Sequence, residues 1–188
     1  SGFFNRFNLQ ASTRLAVKLE FAAGLLMKGV EATGTASFRG VQSQVGELIG
    51  MSNLVWALTT ALALDPEAGV GDSVVPKLQT AAAARMYMTS AWSRVREIFE
   101  TILAGAPIVT VSSNKDLQVP ELSPVIERYF RGTGLPAMER IKLFKLIWDA
   151  LYSEFAGRHA LYERNYAGNA EQQRLDILRW SNARGDSD

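Results

Sequence analysis

Apolar residues return at helical intervals along almost the whole chain, and this periodicity limits the possible folds more than any other feature. Between Leu9 and Val30 the row is Leu15, Leu19, Ala22, Leu26 and Val30, in steps of 4, 3, 4 and 4. Val17, Phe21 and Leu25 form a second row beside it, which predicts a helix buried on two sides. Ala32-Thr33-Gly34-Thr35 supplies its stop. A second helix is predicted from Phe38 to Leu64, where Val41, Leu48, Val55 and Leu62 stand seven apart, with Val45, Ser52 and Thr59 between them. That spacing is the seam of a helical bundle. Asp65-Pro66-Glu67-Ala68-Gly69 breaks the pattern.

A third helix is predicted to start at Ser73 as N-cap, with Pro76 in its first turn and an end near Ala104-Gly105. Met88, Trp92, Val95, Phe99 and Ile102 share one face, and Ala81 to Ala84 form a thin section. Ala106 to Asn114, β-favouring and then small and polar, reads as an extended segment or an ordered loop. Leu122 to Phe130 reads as a short helix. From Pro136 a fifth helix places Met138, Ile141, Phe144, Trp148, Leu151 and Phe155 on one face, and Gly157 is expected to interrupt it. A last helix runs from Ala170 to Trp180. The expected fold is all-α, an up-down helical bundle with one extended loop segment. Trp56, Trp92, Trp148, Phe99, Phe144 and Phe155 are expected in its core.

Composition removes several kinds of chemistry. The chain has no cysteine and one histidine, so thiol nucleophiles, iron–sulfur clusters and Cys- or His-rich metal sites are excluded within it. A net charge of +1, with neither half strongly basic, argues against a nucleic-acid or anionic-membrane surface. The most apolar stretch, Met51 to Leu64, falls short of the roughly 18 residues that span a bilayer. No dinucleotide fingerprint, phosphate loop, nucleophile elbow or HExxH motif is present, so no catalytic residue or metal ligand is assigned.

The densest cluster of polar chemistry is Ser153 to Gly168, with the sole histidine, two arginines, two tyrosines and Gly157 after an amphipathic helix. Gly157 would let the backbone approach a bound group, Arg158 offers donors to phosphate or carboxylate, and His159 suits a ribose, a carbonyl or a flavin edge. The structural alternative pairs Arg158 and Arg164 with Glu154 and Glu163, makes His159 a surface histidine and Gly157 a kink. Ser112 and Ser113 offer hydroxyls and amides to a phosphate or an adenine edge, or cap a local turn. Glu47 and Asn53 mark either a buried network or a solvent face. Arg184-Gly185-Asp186 matches an adhesion triplet and is discounted as chance.

The run from Trp148 to Gly168, and above all Phe155-Ala156-Gly157-Arg158-His159, resembles the C-terminal hallmark of the 4-hydroxyphenylacetate 3-hydroxylase family. Arg14 with Val17-Lys18-Leu19, Val41-Gln42 with Gly46-Glu47-Leu48, Leu103 to Ile108, Glu127 to Gly132, and Arg140 to Leu143 resemble its earlier segments in order. The resemblance implies a single C-terminal helical-bundle domain over residues 1–188, in a fold shared with acyl-CoA dehydrogenases. The family's N-terminal helical and β-barrel domains are absent from this sequence. It further implies a monooxygenase that hydroxylates a phenolic small molecule ortho to its hydroxyl with FADH2. An NAD(P)H-dependent flavin reductase would supply the FADH2, and the protein would be a cytoplasmic homotetramer without nucleic-acid or membrane partners. The implied cofactor-binding residues are Phe155, Ala156, Gly157, Arg158 and His159, with Ser112 and Ser113 second. The sequence departs from the family pattern at Ala104-Gly105-Ala106-Pro107, which has fewer glycines, and at Val111, where the family has proline. The competing expectation is a cofactor-free bundle serving as an assembly or interaction module.

Overall fold

The computed structural model describes residues 3–166 and 168–185. Seven α-helices dominate them: α1 (Phe3–Thr33), α2 (Arg39–Leu64), α3 (Leu78–Leu103), α4 (Ser123–Phe130), α5 (Ala137–Leu151), α6 (Glu154–Asn165) and α7 (Ala170–Arg184). Two compact units divide these residues. The first holds residues 3–20, 49–94 and 159–185; the second holds 21–48 and 95–158.

The predicted stripes form the cores of the two units. Leu15, Leu19, Ala22, Leu26 and Val30 of α1 are all buried, as are Leu48, Val55 and Leu62 of the α2 seam. Ser52 and Thr59 lie in the same seam, and the Thr59 hydroxyl donates to the Val55 carbonyl at 2.8 Å, which satisfies it without a partner helix. The second row of α1 behaves differently: Leu25 is buried, but Val17 and Phe21 are 53% and 50% exposed. Helix α2 starts at Arg39, one residue after the predicted Phe38, and the whole of its 26 residues, unlike the Met51–Leu64 run alone, is long and apolar enough to cross a membrane. Its buried seam marks it as a core helix of this fold.

Between α2 and α3 the chain makes a hairpin that the periodicity missed. β1 (Pro66–Ala68) pairs antiparallel with β2 (Val74–Pro76), Glu67 opposite Val75. Ser73 and Pro76 therefore lie in this hairpin and not at a helix start. Val74 and Val75 favour the strand, and Gly71 takes a left-handed φ of 64° in the turn. Val75 is buried, the Pro76 carbonyl accepts from the Asn5 side chain at 2.6 Å, and Glu67 Oε1 accepts from the Leu78 amide at 3.1 Å. Glu67 thus caps α3 from the neighbouring strand.

Of the two readings of Ala106 to Asn114, the structure takes the ordered loop. Ala106, Ile108 and Val109 donate their amides to the carbonyls of Leu103 and Gly105 in successive turns. In the second unit the turn at Gly132 docks on the end of α1. Thr133 N donates to the Ala32 carbonyl at 2.9 Å, and a Cβ on Gly132 would lie 2.9 Å from that same oxygen. Glu127 then caps α5 by accepting from the Ala137 amide at 3.1 and 3.3 Å.

The break after α5 falls at Tyr152-Ser153, and Gly157 sits inside α6 without interrupting it. Ser153 explains the position: its hydroxyl donates to the Asp149 carbonyl and accepts from the Ala156 amide, closing one helix and opening the next. Phe99, Phe144 and Trp92 are core residues as expected, and Trp56 is half-buried. Trp148 and Phe155 are not core, being 40% and 66% exposed. Helical spacing identifies an apolar face, but Ile141, Phe144, Ile147 and Leu151 already fill the inward side of α5.

Candidate functional site

Helix α6 carries the residues singled out by the sequence, and each unit holds part of it. In the second unit, Ala156 is buried and its amide is held by Ser153 Oγ at 3.2 Å, so its side chain belongs to the core. Phe155, Gly157 and Arg158 are exposed, and a Cβ on Gly157 would meet nothing within 4 Å. Phe155 and Arg158 are three residues apart and share a helix face. Arg158 makes no ion pair among the described residues. An aromatic ring and a guanidinium thus share one helix face, while the open backbone of Gly157, two residues from Phe155, turns to another side of α6.

Ser112 and Ser113, also in the second unit, direct their donors inward. The Ser112 hydroxyl and the Ser113 amide both donate to Asp116 Oδ2, at 3.1 and 3.2 Å, and Ser113 Oγ accepts from the Lys115 amide. Both donors thus serve the carboxylate of Asp116 within the same loop. Glu47 and Asn53 lie on exposed positions of α2. Asp186, the last residue of the Arg-Gly-Asp triplet, lies outside the described residues.

In the first unit α6 contributes to a buried charge cluster. Glu163, completely buried, accepts from Arg14 Nη2 at 2.7 Å and from Lys18 Nζ at 2.5 Å, both from α1. Arg85, also completely buried on α3, donates to the Glu163 and Arg164 carbonyls at 3.3 and 3.4 Å. It therefore caps the last turn of α6, where the backbone carbonyls have no helical partner. Burial lowers the Arg85 pKa, with Arg14 pushing the same way and Glu163 opposing. Arg14 lies 4.2 Å over the Tyr162 ring, which stacks on Tyr166 at 4.0 Å. Glu163 is thus not the partner of Arg158 or Arg164.

His159 is half-buried, with Nδ1 2.8 Å from Lys18 Nζ. Its pKa is lowered by burial first, then by Lys18 and Arg14, against the opposing pull of Glu163. Sequence reasoning missed Arg85 and the partners of Glu163. Arg14 and Lys18 stand 149 and 145 residues from Glu163, beyond any local pattern, and Arg85 follows an alanine run that reads as plain helix.

The seven helices of the described residues, with one short hairpin, define a helical-bundle domain. At 17% identity an archaeal 4-hydroxybutyryl-CoA dehydratase shares the fold, with a TM-score of 0.82 over 98% of this chain and 40% of that one. Residues 1–188 match the model of the 4-hydroxyphenylacetate 3-hydroxylase C-terminal domain, and the chain belongs to that family. It is 53% identical over 185 residues to the pyoverdin chromophore biosynthetic protein PvcC of Pseudomonas aeruginosa, covering 98% of this chain and 37% of that protein. The oxygenase component of 4-nitrophenol 2-monooxygenase from a Rhodococcus species is 45% identical, covering 95% of this chain and 34% of that protein. The crystal structure of the oxygenase component HpaB of 4-hydroxyphenylacetate 3-monooxygenase, complexed with FAD and 4-hydroxyphenylacetate, superposes with a TM-score of 0.88 at 28% identity. That match covers 93% of this chain and 36% of HpaB. The chain spans about a third of the length of these relatives.

Proposed function

We propose that this chain is the C-terminal, flavin-facing domain of an oxygenase component that hydroxylates a phenol ortho to its hydroxyl group. The single observation that carries the reading is the surface of α6. An exposed aromatic ring at Phe155 and an exposed guanidinium at Arg158 share one face of it, on a chain whose relatives include an FAD-bound HpaB. These residues suit FAD in chemistry. Phe155 offers ring contact, the Gly157 backbone permits close approach, and Arg158 provides paired donors for pyrophosphate oxygens. FAD, reduced by a separate NAD(P)H-dependent reductase, would supply the oxygen-activating chemistry. This chain's residues bind, orient and exclude water, and none is assigned a role at the reacting atoms. The Ser112–Ser113 loop, whose donors already serve Asp116, contributes local structure.

The exposed Val17 and Phe21 of α1 and the exposed Trp148 of α5 support a homo-oligomer, with a tetramer as the assembly proposed. The same residues favour the second reading, a cofactor-free assembly module. One experiment separates the two. The complete polypeptide, supplied with a flavin reductase and a panel of phenols, is expected to yield catechols and to consume oxygen above the reductase background. Arg158→Ala and Phe155→Ala are expected to weaken FAD binding while leaving unfolding unchanged, since both side chains are exposed. A stable oligomer that binds neither FAD nor FADH2, and that ignores both substitutions, would establish the module.

A further inference from the structure

Within the first unit a cavity of about 170 Å³ lies between α3 and α7. The thin section of α3 accounts for it: Ala82 and Ala83 stand where longer side chains would fill the space, and Met86 follows one turn on. Ile177 and Trp180 close it from α7, and the Trp180 ring is held edge-on to Phe4 with centroids 5.1 Å apart. The walls are therefore mostly apolar. An apolar cavity of roughly 150 Å³ holds one benzene ring, so this one is sized for a single aromatic ring.

One end of the cavity is charged. Arg184 is the one charged residue in its lining among the described residues. Glu67 places that arginine beside the first turn of α3. Its Oε1 accepts from the Leu78 amide at 3.1 Å and from Asn5 Nδ2 at 3.0 Å, while its Oε2 lies 3.6 Å from Arg184 Nη2. At that distance the two charges attract without a hydrogen bond, and the guanidinium fork keeps its donors. The N-terminal end of α3 favours negative charge at the same place.

We propose that this cavity binds a small one-ring aromatic carboxylate, with its ring among Ala82, Met86 and Trp180 and its carboxylate on Arg184. Trp180 and Arg184 stand four residues apart on α7, about 6 Å along the helix, a span that one ring and its carboxylate cover. The planar fork of arginine meets a carboxylate with two parallel N–H···O bonds, and a flat ring stacks or packs edge-on against indole. Every residue of the site belongs to the first unit, and the proposal does not depend on the flavin reading.

Benzoate is the probe, and benzamide, of the same shape without the charge, is its control. Titration calorimetry on the complete polypeptide is expected to show a saturable benzoate site, with benzamide bound about tenfold more weakly. Arg184→Gln should weaken benzoate about tenfold, the scale of one charge-assisted hydrogen bond, and bring it level with benzamide. Ala82→Leu should fill the cavity and abolish binding of both, with a thermal midpoint equal to the parent's or higher because empty apolar space is filled. Ala83→Leu, from an exposed position of α3, makes the same test if Ala82→Leu fails to fold. The absence of saturable benzoate binding overturns the site, as does binding that ignores both the arginine and the alanine substitutions. Benzamide bound as tightly as benzoate by the parent overturns the role of Arg184.

Discussion

Glu163→Gln is the sharpest perturbation of this fold, because one carboxylate balances three cations. The side chain is completely buried and takes bonds of 2.7 Å from Arg14 and 2.5 Å from Lys18, while Arg85 donates to its backbone carbonyl. Glutamine preserves the shape and one acceptor oxygen but removes the charge. Arg14 and Lys18, whose side chains are only 20% and 22% exposed, would then face each other and Arg85 without compensation. Breaking a buried ion pair by removing one partner costs about 3–5 kcal/mol. The partial exposure of the two α1 cations places this case at the lower end, about 3 kcal/mol. That is a large part of a total stability of roughly 5–15 kcal/mol. With a urea m-value of about 2–3 kcal/mol per molar, the unfolding midpoint should fall by about 1 M or more. Equilibrium urea unfolding followed by far-UV circular dichroism measures it. The same experiment at raised salt should give nearly the same loss, because screening acts mainly on exposed pairs. A loss below about 1 kcal/mol, or one abolished by salt, would refute the reasoning, since it would show the cluster behaving as an ordinary surface ion pair.

Two glycines should respond in opposite directions to alanine. Gly132→Ala places a Cβ 2.9 Å from the Ala32 carbonyl oxygen and should destabilise by about 1–3 kcal/mol, read as a lower thermal midpoint. Gly24→Ala, on an exposed position of α1 with nothing within 4 Å of the added Cβ, should stabilise by about 0.5–1 kcal/mol. Asn169 caps α7 by accepting from the Gln172 amide at 2.7 Å, so Asn169→Ala should cost about 1 kcal/mol in the same assay. Burial, aided by Glu100 and opposed by Arg96, pushes the Tyr152 phenol up to about 12 from 10.0. Its contribution is therefore fully present below pH 10 and is lost as pH rises from there toward about 12, because the unfolded chain gives up the proton first. Urea unfolding of the parent at pH 9 and 11 should show this decline, and Tyr152→Phe should flatten it.

Much of the helical framework was legible because its signals are local. The row from Leu15 to Val30 and the seam from Val41 to Leu62 can be read at 3.6-residue periods, and Gly34 ends α1 with a left-handed φ of 74°. The hairpin at 66–76 was not legible, because a strand pair of three residues each is too short for a period to declare itself. The serine at 153 outweighed the glycine at 157 as a helix boundary because its hydroxyl serves both helix ends, whereas an exposed glycine inside a helix costs only about 1 kcal/mol. Trp148 and Phe155 showed the limit of spacing arguments: a stripe states which residues share a face, not what covers that face.

The sequence by itself determined the class of the fold, the family and the segment that carries the candidate site, because periodicity and a contiguous motif survive without three dimensions. Only the tertiary structure decided what the charges in that segment do. Glu163 lies beside Arg158 and Arg164 along the chain, yet its carboxylate binds Arg14 and Lys18, and Arg85 caps its helix. The physical reason is desolvation. A buried carboxylate must find cations wherever packing delivers them, while Arg158 can remain in solvent. His159 follows from the same cause: the lysine drawn in to neutralise Glu163 also lies against His159 Nδ1.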